Sequence, residues 1–286
     1  MNPQKISTAG SPSRFTSALR SSLLVFFLFF PLTFMHLFVH ESGHALVNLI
    51  YRIPNTSIYI HPFSFSGFSR PVLDWNNVWM HLGGPVLSVL LGVTLFILFW
   101  KRRKYSTLLL MMFIAWTAFW EGIGFMDILG GGGDFSNVMR ITGLPAGLFI
   151  AIDLLLFVIG ILLFVSLIPL FGLKPDNLNT LWALPLGMLV FALVGVGVAN
   201  TFVAGSPIDV NYNLGKEIIK SASYRPLLMT CSGLLFALLY VTLYRVLVRK
   251  LPAFLKTEAI SLTWKDLRWP AVVAILCVFI GLVLIL

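Results

Sequence analysis

Residues 40–44 have the sequence His-Glu-Ser-Gly-His and lie within a long apolar run. On a helix, side chains four residues apart project from one face, so His40 and His44 present two imidazoles about one turn apart. That spacing suits two nitrogen ligands of one tetrahedral zinc ion, and Glu41 is the adjacent carboxylate that can take a proton from water at the metal. Ionisable residues are rare inside membrane helices and usually functional there. The pattern therefore predicts a hydrolytic zinc site; the alternative is a polar seam satisfied by neighbouring helices.

A catalytic zinc ion with two histidines normally takes a third protein ligand and leaves one position for water. The remaining carboxylates at membrane depth are Glu121, Asp127, Asp134 and Asp153. Asp134 follows four consecutive glycines, which let the backbone bend and can direct its carboxylate toward the helices. Asp134 is thus the predicted third ligand, with Asp127 and Glu121 as competitors. Its alternative role is that of a solvated loop aspartate that caps the next helix.

Other polar residues in the apolar segments are candidates for supporting roles. His36 lies on the same helical face as His40, where it can support the site, carry a proton, act as a surplus ligand or hydrogen-bond across the bundle. Glu121, alone inside an apolar segment, is a functional candidate that can pair with Arg140 or a histidine, or line a water path. His61 and His81, in a loop and at a helix start, are weaker candidates for contact with the site.

The composition of the chain indicates a membrane protein. Of its 286 residues, 58% are hydrophobic and only 11% are charged, whereas an ordinary globular domain is about 25% charged. This excludes a soluble enzyme of usual composition and a disordered chain. The net charge of +9 comes from basic residues in short loops beside apolar runs. That pattern is typical of the positive-inside rule, so we expect a lipid bilayer as partner and no nucleic acid.

Apolar segments of about the length needed to cross the hydrocarbon recur along the whole chain. They predict an all-α, polytopic integral membrane protein with about seven transmembrane helices. Pro31 should kink the first helix or divide it into two stacked parts. The stretch 51–77 alternates polar and apolar residues between turn residues, which predicts a short hairpin or an interfacial loop. The seven segments are 21–50, 78–100, 106–129, 147–172, 180–203, 226–248 and 269–286.

The distribution of basic residues predicts the orientation. If the N-terminus is cytoplasmic and all seven segments cross, 14 Lys and Arg residues lie inside and 6 outside, as the positive-inside rule requires. We expect a flexible N-terminal tail at residues 1–20, a core of three helices at 21–146 and additional membrane helices at 147–286.

Three stretches resemble one family in the same chain order. HESGHALVNLI at 40–50 resembles the HExGHAL signature of the site-2 protease family of intramembrane zinc metalloproteases. Residues 83–88 (GGPVLS) resemble its Ala-Gly-Pro-x-x-Asn segment, which opens the helix after a short hairpin. Residues 134–140 (DFSNVMR) are similar to its Asp-Gly-Gly-Arg-Val-Leu-Arg segment, whose aspartate is the third zinc ligand.

The resemblance covers about residues 34–146 and implies a function. It implies a zinc-dependent intramembrane endopeptidase, with His40, His44 and Asp134 as Zn²⁺ ligands, Glu41 as the catalytic residue, and a transmembrane helix of a membrane protein as substrate. The chain departs from the family pattern at Ser88, where the family has asparagine, and at Phe135-Ser136, where it has Gly-Gly. The alternative functions are a catalytically inactive zinc-binding membrane scaffold and a transporter, although a transporter would be expected to show internal repeats.

Overall fold

The computed structural model describes residues 14–54, 56–61, 66–70, 77–130, 133–174, 180–202, 214–247 and 257–285. Its architecture is a bundle of helices with one small antiparallel hairpin. The helices are α1 (Arg14–Ile50), α2 (Val78–Phe99), α3 (Leu108–Gly122), α4 (Gly124–Gly130), α5 (Gly133–Thr142), α6 (Ala146–Leu167), α7 (Thr180–Phe202), α8 (Leu214–Leu247) and α9 (Arg268–Ile285), and the strands are β1 (Ser57–His61) and β2 (Ser66–Arg70).

Helix α1 carries both histidines of the HExxH motif and is one continuous helix of 37 residues. Of the two outcomes expected at Pro31, a kink or a division into two stacked parts, the division is therefore wrong, and the kink stays a prediction. Pro31 removes one backbone hydrogen bond, but the residues around it, including Phe29, Phe30 and Leu32, are buried against other helices, and this packing holds the helix together. The helix also includes residues 14–20, which the sequence assigned to a tail; residues 1–13 lie outside the described part.

The stretch after α1 contains the predicted hairpin. Strands β1 and β2 pair antiparallel, with Ser57 opposite Arg70 and His61 opposite Ser66, and the hairpin packs against α1. Helix α2 begins at Val78 because the side chain of Asn77 accepts a hydrogen bond from the backbone N–H of Trp79 at 3.0 Å, which satisfies one free donor of the first turn.

The third apolar segment is divided into pieces that lead to Asp134. Helix α3 ends at Gly122, and the backbone N–H of Ile123 is shared between the carbonyls of Phe119 and Trp120. Helix α4 follows as a short segment, and α5 then begins at Gly133, whose φ of 75° is a left-handed conformation that favours glycine. Asp134 therefore lies in the first turn of a helix that is separate from α4.

Large aromatic side chains fill the centre of the bundle. Phe29 on α1 contacts Trp116 on α3 edge-to-face at a centroid distance of 5.1 Å, and Phe164 on α6 stacks on Phe236 on α8 at 4.4 Å. The C-terminal segment before α9 returns to the start of α1, where buried Arg20 donates a hydrogen bond to the carbonyl of Leu262.

Within the described residues, four helical stretches are long and apolar enough to cross a membrane: Phe15–Ile50, Val78–Arg102, Tyr105–Met126 and Ala146–Phe171. Three shorter apolar helices lie at Leu181–Gly195, Pro226–Thr242 and Arg268–Ile280. All seven predicted segments thus fall on helices, whereas a count of seven spans and the cytoplasmic N-terminus stay predictions.

Close backbone contact between α3 and α6 fixes the position of α3. A Cβ atom added at Gly160 would lie 2.5 Å from Cα and 2.7 Å from Cβ of Phe119, so only glycine fits without movement of a helix. Small residues permit this approach between membrane helices, where packing rather than water drives association.

We expect Gly160→Ala to destabilise the protein by about 1–3 kcal/mol, because the added methyl group forces α3 and α6 apart. The matched control is Gly147→Ala on the same helix, where an added Cβ has no atom within 4 Å. Thermal unfolding of both variants in detergent tests this. Equal transition temperatures for Gly160→Ala and Gly147→Ala would show that the contact does not limit packing.

Candidate metal centre

Three side chains from two helices converge on one point. The Nε2 atoms of His40 and His44 on α1 are 3.2 Å apart. The Oδ2 atom of Asp134 on α5 lies 3.2 Å from Nε2 of His40 and 3.5 Å from Nε2 of His44. The structure therefore brings together the two histidines of the motif and the aspartate that follows the glycine run.

The other nitrogen of each imidazole has its own partner, and these partners define the tautomers. Nδ1 of His44 lies 2.6 Å from the backbone carbonyl oxygen of Met80, which can only accept a hydrogen bond. Nδ1 of His40 lies 3.0 Å from Oε1 of Glu121, also an acceptor when ionised. Each neutral ring therefore carries its proton on Nδ1, and each Nε2 presents a lone pair.

This arrangement places two imidazole lone pairs and a carboxylate oxygen within 3.5 Å of one another. Acceptor atoms so close repel one another unless a proton or a cation lies between them. In a tetrahedral zinc site with nitrogen and oxygen ligands at about 2.0–2.2 Å, ligand atoms are about 3.3–3.6 Å apart. The separations of 3.2–3.5 Å match this spacing, so the donor set fits one zinc ion.

Asp134 is held in its ligand position from its other side. Its Oδ1 lies 3.9 Å from Nδ1 of His81, and Asn137 lies 3.4 Å from the same nitrogen. These two neighbours line the side of Asp134 that faces away from His40 and His44.

Glu41 follows His40 directly on α1 and is largely enclosed, with 6% of its surface exposed. The side chain of Asp134 is 27% exposed, so the site is open on its α5 side. A carboxylate that is shielded and adjacent to the metal position is suited to accept a proton from water and return it.

The second turn of α2 forms a wall of the site made of backbone. A Cβ atom added at Gly84 would lie 2.7 Å from Nε2 of His40 and closer still to Nε2 of His44. Nearby, Gly43 and Gly83 bring α1 and α2 into backbone contact, since a Cβ at Gly83 would lie 2.6 Å from the carbonyl oxygen of Gly43. A side chain at position 84 would therefore occupy the space at the ligand atoms.

The remaining predicted residues lie behind His40, on α6, or outside the described side chains. Glu121 is on the Nδ1 side of His40, away from the convergent point, and His36 lies behind it, 3.8 Å from Oε1. Asp153 is buried on α6 beside Gly124, where an added Cβ would lie 3.1 Å from its Oδ2. The side chains of Asp127 and His61 lie outside the described part of the structure.

Sequence reasoning gave His81 and Met80 little or no role. His81 contacts Asp134, and the Met80 carbonyl orients His44. The sequence indicated His81 by its position at the start of the helix after the hairpin. The role of the Met80 carbonyl could not be predicted, because every residue has a backbone carbonyl and no residue type marks this one.

We expect Gly84→Ala to lose bound zinc, because the methyl group would displace both imidazoles from their shared point. Gly92→Ala on the same helix is the control, since its Cβ would meet Thr117 at an ordinary 3.7 Å. Metal analysis of the purified variants measures the difference. Full zinc content in Gly84→Ala would contradict the assignment of this space to the metal.

Comparison with known proteins yields one match. Residues 18–123 match the family model described as "Peptidase M50B-like". No curated protein and no solved structure matches the chain. The matched region contains the HExxH motif, the hairpin, α2 and α3, and together with the apolar helices it indicates an integral membrane protein of metallopeptidase type. The similarity to this peptidase family covers residues 18–123, which is about a third of the chain.

Proposed function

We propose that the protein is a zinc-dependent intramembrane endopeptidase that hydrolyses peptide bonds in or near transmembrane segments of membrane proteins. The observation that carries this proposal is the convergence of two imidazole lone pairs and one carboxylate oxygen beside a shielded glutamate. His40, His44 and Asp134 would hold the metal. When bound, zinc would polarise the scissile carbonyl and lower the pKa of water to about 7.

Glu41 is the group that moves protons in this reaction. Its carboxylate accepts the proton of the attacking water and then donates it to the leaving amine. Its position next to His40 in the chain keeps it within reach of the metal ligands. Enclosure of Glu41 limits competing contact with bulk water, while the exposed flank at Asp134 offers water a route to the site.

The substrate is proposed to be a membrane-spanning helix that unwinds locally, because a helical peptide bond is shielded by its own hydrogen bonds and side chains. The hairpin of β1 and β2 packs against α1, which carries the motif, and we propose that the stretch 51–77 controls access of the substrate. The protein would act within the lipid bilayer on a membrane protein partner, with its N-terminus in the cytoplasm.

Metal binding is tested by the zinc content of the detergent-purified protein. We expect about one zinc per chain, lost in His44→Ala and in Asp134→Ala, because each removes one of three ligands. Asp153→Asn is the control, since it removes a buried carboxylate that lies on α6. Loss of zinc in His44→Ala but not in Asp134→Ala would indicate that Asp127 or Glu121 is the third ligand. Absence of zinc from the reconstituted wild type would contradict the proposal.

Catalysis is tested separately from binding with Glu41→Gln. Loss of a general base lowers the rate by about 10²–10⁴-fold, whereas the amide has nearly the same shape and leaves the metal ligands in place. We therefore expect cleavage to fall to background while zinc content stays at wild type. The assay uses proteoliposomes containing the enzyme and membrane proteins of the expression host, with new peptide ends mapped by mass spectrometry.

This pair of measurements also distinguishes the alternatives. A zinc-binding scaffold without catalysis predicts no new peptide ends with either the wild type or Glu41→Gln. Equal cleavage by both proteins would exclude Glu41 as the base.

A further inference from the structure

We propose that Glu121 is a positioning residue for the metal centre, which acts by fixing the ring of His40. The inference rests on the proposed function only in requiring that zinc binds at His40, His44 and Asp134. It assigns a role to a carboxylate on α3, a helix that contributes no ligand of its own.

The contact between Glu121 and His40 has the geometry of a charge-assisted hydrogen bond. Oε1 of Glu121 lies 3.0 Å from Nδ1 of His40, and the side chain of Glu121 is only 5% exposed. An ionised carboxylate accepts a proton and cannot donate one, so it selects the tautomer of His40 with the proton on Nδ1. The lone pair of Nε2 is then directed at Asp134 and His44.

Glu121 is itself held in place by a second set of contacts. His36 lies one helical turn before His40, with its Nε2 3.8 Å from Oε1 of Glu121. Its Nδ1 lies 3.4 Å from the hydroxyl of Thr117, one turn before Glu121 on α3. The two helices thus face each other with Thr117 and Glu121 on one side and His36 and His40 on the other.

The two zinc-ligand histidines are therefore oriented by different groups. His44 donates to a neutral backbone carbonyl, whereas His40 donates to a carboxylate. A carboxylate partner raises the basicity of a ligand imidazole as well as fixing its orientation. His40 is accordingly the ligand whose strength depends on a side chain that can be replaced without altering the backbone.

The same atoms define a competing arrangement. His36, His40 and Glu121 each offer one ligand atom, and these atoms lie within 4.8 Å of one another. A cation among them would use Nδ1 of His40, the nitrogen that carries the proton in the positioning role. The two arrangements differ in zinc stoichiometry, because a second site adds a second ion.

The experiment measures zinc affinity by chelator competition and the visible spectrum of the Co²⁺-substituted protein. Glu121→Gln keeps the shape and one acceptor oxygen but loses the charge, and Glu121→Leu loses the acceptor altogether. Loss of such a partner typically weakens metal binding 10–100-fold. We expect Glu121→Gln near the low end and Glu121→Leu at or beyond the high end, each still binding one metal at saturation with a shifted Co²⁺ spectrum.

The matched control is Asp153→Asn, which neutralises another buried membrane carboxylate on α6 and should leave both readouts unchanged. Wild-type affinity and spectrum in Glu121→Gln would overturn the proposal. Equal losses in Glu121→Gln and Glu121→Leu would assign the whole effect to the charge of Glu121 and contradict positioning through the hydrogen bond. Two zinc ions per wild-type chain would replace the positioning role by a second site.

Failure of this inference is distinguishable from failure of the proposed function. If the wild type binds one zinc ion and Glu121→Gln binds it equally well, only the inference fails. If zinc is bound and depends on Glu121 but no peptide is cleaved, the inference stands and the endopeptidase proposal fails.

Discussion

The structure depends on the close approach of three acceptor atoms in a largely apolar bundle. Two imidazole nitrogens and a carboxylate oxygen lie within 3.5 Å of one another, an arrangement that is unfavourable unless positive charge lies among them. Each surrounding element makes this approach possible. Helix α1 supplies two of the atoms at one helical turn, α3 and the start of α2 orient the rings, and the breaks around α4 bring in the third.

The apolar surroundings make every polar contact at the centre consequential. A buried polar group without a partner is costly, and in the membrane no bulk water is available to replace the partner. The Nδ1 atoms of the two ligand histidines are therefore satisfied, that of His40 by Glu121 and that of His44 by the Met80 carbonyl. Glycines at the helix crossings allow this geometry, since α1 meets α2, and α3 meets α6, at backbone distance.

Much of the candidate site was accessible from sequence because its residues are local or flagged by unusual composition. The spacing of His40 and His44 gives their shared face directly, and a glycine run before Asp134 is uncommon enough to mark a bend. For Glu121 the sequence offered Arg140 or a histidine as partner. The choice of His40 was not accessible, because the register between α1 and α3 is set by packing of Phe29, Trp116 and their neighbours. At Pro31 the local rule predicted a kink or a division, and the division does not occur because the residues around Pro31 are packed against neighbouring helices.

The origin of the three ligands on two helices that are distant in the chain has a consequence for folding. Residues 44 and 134 are far apart in sequence, and α5 is joined to α4 through glycines. An ion shared by His44 and Asp134 would act as a cross-link that closes this long loop, and such links restrict the unfolded chain more as the loop grows. Metal binding and folding are coupled in sites of this kind. The ion would therefore stabilise the packing of α5 against α1 in addition to taking part in the reaction.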